Sequence, residues 1–184
     1  PEAAEAGDVP RLAALDDLDD VLDEAVAVAE RPRGGAEAAP TPAAWKSAIE
    51  TALSGAGSVT DRRAAATRAV EVARGQGWQD TRLAFSLFAL GRLNLGVNSD
   101  IALAAFREAE RIYGDHPATQ LQAAHMGVQL AAHALSLGNA KTAIAITDRH
   151  LRAVMQAENA ALLATLLMIK AEALDHLGRD AEAQ

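Results

Sequence analysis

The sequence predicts an all-α protein built as a solenoid of helical hairpins, and three observations carry that prediction. Leucine-glycine pairs recur at Leu95-Gly96, Leu137-Gly138 and Leu177-Gly178 in steps of 42 and 40 residues. Self-similarity at such a period marks units that bury their apolar faces only by stacking on one another. Half of the residues are apolar yet only 3% are aromatic; alanine supplies much of the total, favouring helix and letting helix axes approach closely. No run of β-branched and aromatic residues alternates with polar ones, so nothing reads as a strand.

Residues 1–30 hold an acidic amphipathic helix. Leu12, Leu15, Leu18, Leu22 and Val26 step by three or four residues, opposite Asp16, Asp17, Asp20 and Asp23, and Pro10 suits the first turn. The leucines interrupt the acids at helical spacing, and the alternating acids, central glycine and closing glutamate of a calcium loop are missing. These aspartates therefore read as a solvated face. Residues 31–42, with Pro32, Gly34, Gly35, Pro40 and Pro42, form a linker. The leucine stripe is expected to cap the first hairpin near Trp45, because terminal repeats need their apolar face covered. Its alternatives are docking in the concave groove of the hairpins, or on a neighbouring chain as a homo-oligomer through Leu12, Leu15, Leu18 and Leu22.

Residues 43–184 are expected to form three to four hairpins, the last one cut short. Ala43–Leu53 is a short helix carrying Trp45, stopped by Gly55-Ala-Gly57. Thr60 is the expected cap of the next helix, which runs to Arg74 with Ala66, Val70 and Ala73 on one face. Asp80 caps Thr81–Leu95, dense in Leu83, Phe85, Leu87, Phe88 and Leu90. Ser99 is the expected cap of a helix ending at Tyr113, where Ala102, Phe106 and Ala109 stack at helical spacing. Pro117 starts the third hairpin, whose second helix is capped by Asn139 and runs to Gln156. The fourth begins near Asn159 with Leu162, Leu163, Leu166 and Leu167, and is expected to turn at Gly178.

Charge and composition exclude several function classes. A net charge of -8 opposes nucleic-acid binding, which needs clustered Lys and Arg; Arg62, Arg63 and Arg68 read as a helix face. No apolar run reaches the roughly 18–20 residues needed to cross a bilayer. With no cysteine, disulfide and thiolate-metal chemistry are absent. The start at Pro1 without methionine predicts removal of an upstream segment, and the Ala/Glu/Pro-rich opening resembles a mature exported bacterial protein. The compartment stays open between cytoplasm and export, with a lean to export. The clipped final hairpin predicts sequence beyond Gln184.

Catalytic and metal signatures are missing. His125 and His133 are eight apart and diverge around one helix, His116 lies in a turn, and His150 and His176 fall near expected helix C-termini, where the dipole favours a cation. No His-x-x-x-His or His-Glu-x-x-His occurs. There is no Gly-x-Ser-x-Gly, and neither glycine pair follows a strand or ends in Gly-Lys-Ser/Thr. No cofactor, metal or catalytic centre is expected.

The hairpin pattern resembles tetratricopeptide repeats. There, a small residue precedes the loop glycine by seven and an alanine follows it by about five, with a large apolar residue and another alanine four and seven further on. Ala89, Gly96, Ala102, Phe106 and Ala109 match with one extra residue after the glycine. Ala131, Gly138 and Ala143 match at strict spacing, though Thr147 and His150 replace the apolar pair; Ala171, Gly178 and Ala183 match again. Repeats longer than the usual ~34 residues resemble those of kinesin light chains and related bacterial proteins. The resemblance covers residues 79–184 well, 43–78 loosely and 1–42 not at all. Lys170 departs from it, standing where the family usually has leucine.

The resemblance implies a right-handed solenoid whose first helices line a concave groove that binds a protein or peptide. Carried over by position, that groove presents Leu83, Ser86, Leu90 and Asn94, then His125, Val128, Gln129, Ala132 and Ser136, then Thr165, Met168, Glu172 and His176. The basic clamp with which some members grip a C-terminal carboxylate is replaced here by apolar, small or amide residues. The expected function is a non-catalytic interaction scaffold for an extended or helical segment. The alternatives are a regulatory or sensor domain of a larger enzyme continuing past Gln184, and a self-association module.

Overall fold

In the computed structural model the described residues are 43–182, with side chains described as far as Gly178. The helix and linker expected over 1–42, and every contact expected of Leu12, Leu15, Leu18 and Leu22, lie outside them. Among the described residues seven α-helices follow one another and no strand occurs: α1 (Ala43–Leu53), α2 (Val59–Gly75), α3 (Thr81–Asn94), α4 (Ser99–Gly114), α5 (Gln120–Ser136), α6 (Ala140–Gln156) and α7 (Ala160–Glu182). A 3-10 turn, Pro117–Thr119, joins α4 to α5.

Polar caps fix where five of these helices start. Ser58, Asp80, Asn98, Asn139 and Asn159 each accept a hydrogen bond from a backbone N–H of the following turn, satisfying donors that the helix cannot. Two caps differ from the expected ones. Ser58 rather than Thr60 opens α2, and its hydroxyl also donates to Asp61. Asn98 rather than Ser99 opens α4, the amide oxygen standing 3.2 Å from the Ile101 nitrogen.

Glycines set the turns inside the hairpins. At Gly138 φ is +74°, a conformation that costs other residues free energy. It lets the Asn139 N–H reach the Ala134 carbonyl at 2.8 Å and close the end of α5,. Gly57 and Gly96 take the same left-handed conformation. Gly178 does not turn the chain, because α7 runs through it to Glu182. At Gly96 and Gly138 the following helix folds back and packs on its predecessor.

Each helix packs on its neighbours in sequence, and α1–α3 and α5–α7 also touch. The interior is made largely of alanine: Ala52, Ala65, Ala66 and Ala89 form one fully buried cluster. Close approach goes further where a helix carries glycine. A Cβ on Gly91 of α3 would lie 2.6 Å from the Phe106 ring of α4, and one on Gly127 of α5 would lie 2.3 Å from the His150 ring of α6. In both hairpins a ring from the second helix occupies a notch in the first.

Candidate interaction surface

The residues expected to line a groove divide into two groups. On α3 the expected line is interior. Leu83 and Ser86 are fully buried, Asn94 is 2% exposed, and half-buried Leu90 packs against the alanine cluster. Ser86 accepts a 2.8 Å hydrogen bond from the Trp45 indole of α1 and donates to the Arg82 carbonyl. The Asn94 amide donates to the Leu90 carbonyl one turn back. A helix apolar on nearly every side is buried on nearly every side, so α3 offers no open stripe there. Val128 of α5 is also interior, in a cluster with Ala124, Val154, Leu162 and Leu166.

The remaining positions reach the surface on two adjacent helices. On α5, His125 and Gln129 are half-buried and Ala132 and Ser136 exposed, a line stepping by three and four,. On α7, Thr165 and His176 are half-buried while Met168 and Glu172 are exposed. Because α5 and α7 touch, the two lines belong to neighbouring elements. The surface combines hydroxyl, amide and imidazole groups, the Glu172 carboxylate, and one flexible apolar side chain, Met168, which is 64% exposed.

Sequence reasoning missed the principal polar cluster. Glu110 of α4 receives the His150 Nε2 at 2.8 Å and Arg149 at 2.7 Å, both on the same oxygen. An ionised carboxylate only accepts, so the ring nitrogen donates. Burial alone would raise the Glu110 carboxyl; the hydrogen bond from His150 and the charge of Arg149 outweigh it and hold the group below the usual range. His150 sits inside α6 and is 4% exposed, and His176 lies inside α7, so neither stands in the last turn of its helix, although the sequence placed both near helix C-termini. The signal that could have found the cluster was Gly127, a glycine inside an otherwise good helix. On α3, burial and then the charge of Arg62 hold Arg92 below its ordinary value, and on α4 burial pushes the Tyr113 phenol up.

Among the described residues no three His, Asp or Glu converge as metal ligands, and no helix is long and apolar enough to cross a membrane. Compared with known protein families, characterised proteins and solved structures, the chain matches none.

Proposed function

We propose that this chain is a non-catalytic scaffold: a tetratricopeptide-like, right-handed solenoid that binds an extended or helical segment of a partner protein. The carrying observation is the accessible line of His125, Gln129, Ala132 and Ser136 on α5 beside Thr165, Met168, Glu172 and His176 on α7. Such a strip offers polar partners for a backbone and one adaptable apolar contact, a combination suited to peptide recognition.

Ties between consecutive hairpins favour the stacked arrangement. Trp45 of α1 bonds Ser86 of α3 at a separation of 41 residues. Arg74 of α2 pairs with Glu108 of α4, 34 residues on, and Glu110 of α4 with Arg149 of α6, 39 residues on. α1 thus meets α3 and α5 meets α7, while α2, α4 and α6 are tied in succession, the printed ties spanning about one repeat length. That is how hairpins stack in a solenoid.

A test is selection of peptides from a random display library, followed by titration of the chosen peptide against variants. Gln129→Arg and Met168→Glu should each weaken binding at least about tenfold, a loss of about 1.4 kcal/mol, with unchanged melting temperature. Selected peptides that bind both variants as well as the parent would refute the assignment of this surface.

A further inference from the structure

Three arginines gather where α1 ends, α2 begins and α3 ends. Near the start of α2, Arg62 Nε donates to the Ala52 carbonyl at the end of α1 at 3.1 Å, and Arg63 Nε donates to the Leu93 carbonyl at the end of α3, also at 3.1 Å. Both carbonyls belong to last helical turns, whose oxygens have no donor within their own helix. Arg92 of α3 stands close enough to Arg62 that this like charge, after burial, holds its guanidinium below the ordinary value, and it lies 5.7 Å from the Phe88 ring centroid. All three arginines are half-buried. Among the described residues none of them forms an ion pair. The adjacent acid, Asp61, turns instead to the Ser58 hydroxyl at 2.7 Å.

We propose that Arg62, Arg63 and Arg92 form a binding site for a phosphate dianion, either the free ion or the monoester of a small molecule. Holding like charges together costs free energy, and fixing long side chains costs rotamer entropy as well. The two helix C-termini carry about −0.5 charge each, so they offset about one of the three positive charges. A surplus remains, and the Nε anchors of Arg62 and Arg63 leave their terminal nitrogens to a ligand,. Phosphate brings about 1.5 to 2 negative charges and three strong acceptor oxygens, which arginine forks engage through paired bonds. A carboxylate brings one charge and two oxygens, and leaves one guanidinium unanswered. The site belongs to α1–α3 and is separate from the peptide strip on α5 and α7.

Inorganic phosphate, glycerol 3-phosphate and acetate are titrated into the whole chain by isothermal calorimetry at constant ionic strength, which holds general screening fixed. At least one of the two phosphates should bind with a Kd of about 1 mM or tighter, and acetate at least about tenfold more weakly. Tighter binding of inorganic phosphate identifies the free ion as the ligand; equal or tighter binding of the ester identifies the esterified group. Arg92→Gln and Arg62→Gln should each weaken phosphate binding at least about tenfold, with far-ultraviolet circular dichroism confirming that the helices are kept. Arg68→Gln, at an exposed position of α2, should leave it unchanged. Four results overturn the proposal: neither phosphate binding at ~10 mM, acetate binding as tightly, indifference to both Arg92→Gln and Arg62→Gln, or an equal loss with Arg68→Gln. Phosphate binding that strengthens when Asp16, Asp17, Asp20 and Asp23 are all changed to Asn also overturns it, by making the chain's own carboxylates the occupant.

Discussion

Adding a single methyl group at Gly127 tests whether the α5–α6 notch governs this fold. Helix propensity alone predicts that Gly127→Ala stabilises α5 by about 1 kcal/mol. The new Cβ, however, would lie 2.3 Å from His150 Cδ2 and 2.5 Å from Nε2, where carbon contacts settle at about 3.5–4.0 Å. The ring is 4% exposed and held 2.8 Å from the Glu110 carboxylate, so it moves only by giving up that bond. A hydrogen bond to a charged group contributes about 1.5–3 kcal/mol and overpacking costs about 1–3 kcal/mol, so the clash wins and the net loss is about 2–4 kcal/mol. At roughly 2–4 °C per kcal/mol for a chain of this size, the melting temperature falls by about 4–16 °C.

Calorimetry on a double-mutant cycle isolates the cause. In a His150→Ala background the same Gly127→Ala change meets no ring, so its sign should reverse to a gain of up to about 1 kcal/mol. Gly114→Ala is the control, since nothing lies within 4 Å of a Cβ there and the change should be neutral or slightly stabilising. A Gly127→Ala protein as stable as the parent, or effects that simply add in the cycle, would refute the notch argument.

Three further outcomes are expected. Ala131→Leu, at a fully buried position, should cost roughly 1–3 kcal/mol, whereas exposed Ala132→Leu should stay within about 0.5 kcal/mol; equal melting temperatures would show the register of α5 to be wrong. Ser86→Ala leaves the buried Trp45 indole without its acceptor and should lower stability by about 1–3 kcal/mol, seen in urea unfolding followed by tryptophan fluorescence. Because the Glu110 carboxyl titrates lower in the folded chain, its contribution is whole above the unfolded value of about 4.3 and fades as pH falls through the depressed folded value. The parent's urea midpoint should therefore exceed that of Glu110→Gln at pH 6 and approach it in acid; a difference that grows toward acid would contradict the assignment.

The helices were legible wherever capping chemistry and apolar spacing agreed. Ala43–Leu53 follows from its composition and the glycines after it, and Asp80, Asn139 and Asn159 stand just before helices as their side chains require. The misplaced caps are one-turn ambiguities, since Ser58 and Thr60, or Asn98 and Ser99, are both competent acceptors. Leucine-glycine marks a place where a helix can end, but at Gly178 α7 continues through it to Glu182.

The surface was less legible because its expected residues were assigned by repeat position, while burial depends on what each helix meets on all sides. On α3, Leu83, Phe85, Leu87 and Phe88 already point in several directions around the axis, so no stripe of that helix could remain open, and Ser86 was drawn inside with its hydrogen bond to Trp45. On α5 alanines and one glycine occupy the covered faces, leaving His125, Gln129, Ala132 and Ser136 as an uninterrupted accessible line. The glycine pattern carries a second lesson of the same kind. Gly96 and Gly138 work through the backbone, by adopting positive φ, whereas Gly91 and Gly127 work by leaving a vacancy for a ring one repeat-helix away. Sequence spacing finds the first kind because a turn is local. The second kind becomes readable only when the ring that fills the notch is known, which makes Phe106 and His150, rather than the glycines, the residues that fix how closely each hairpin closes.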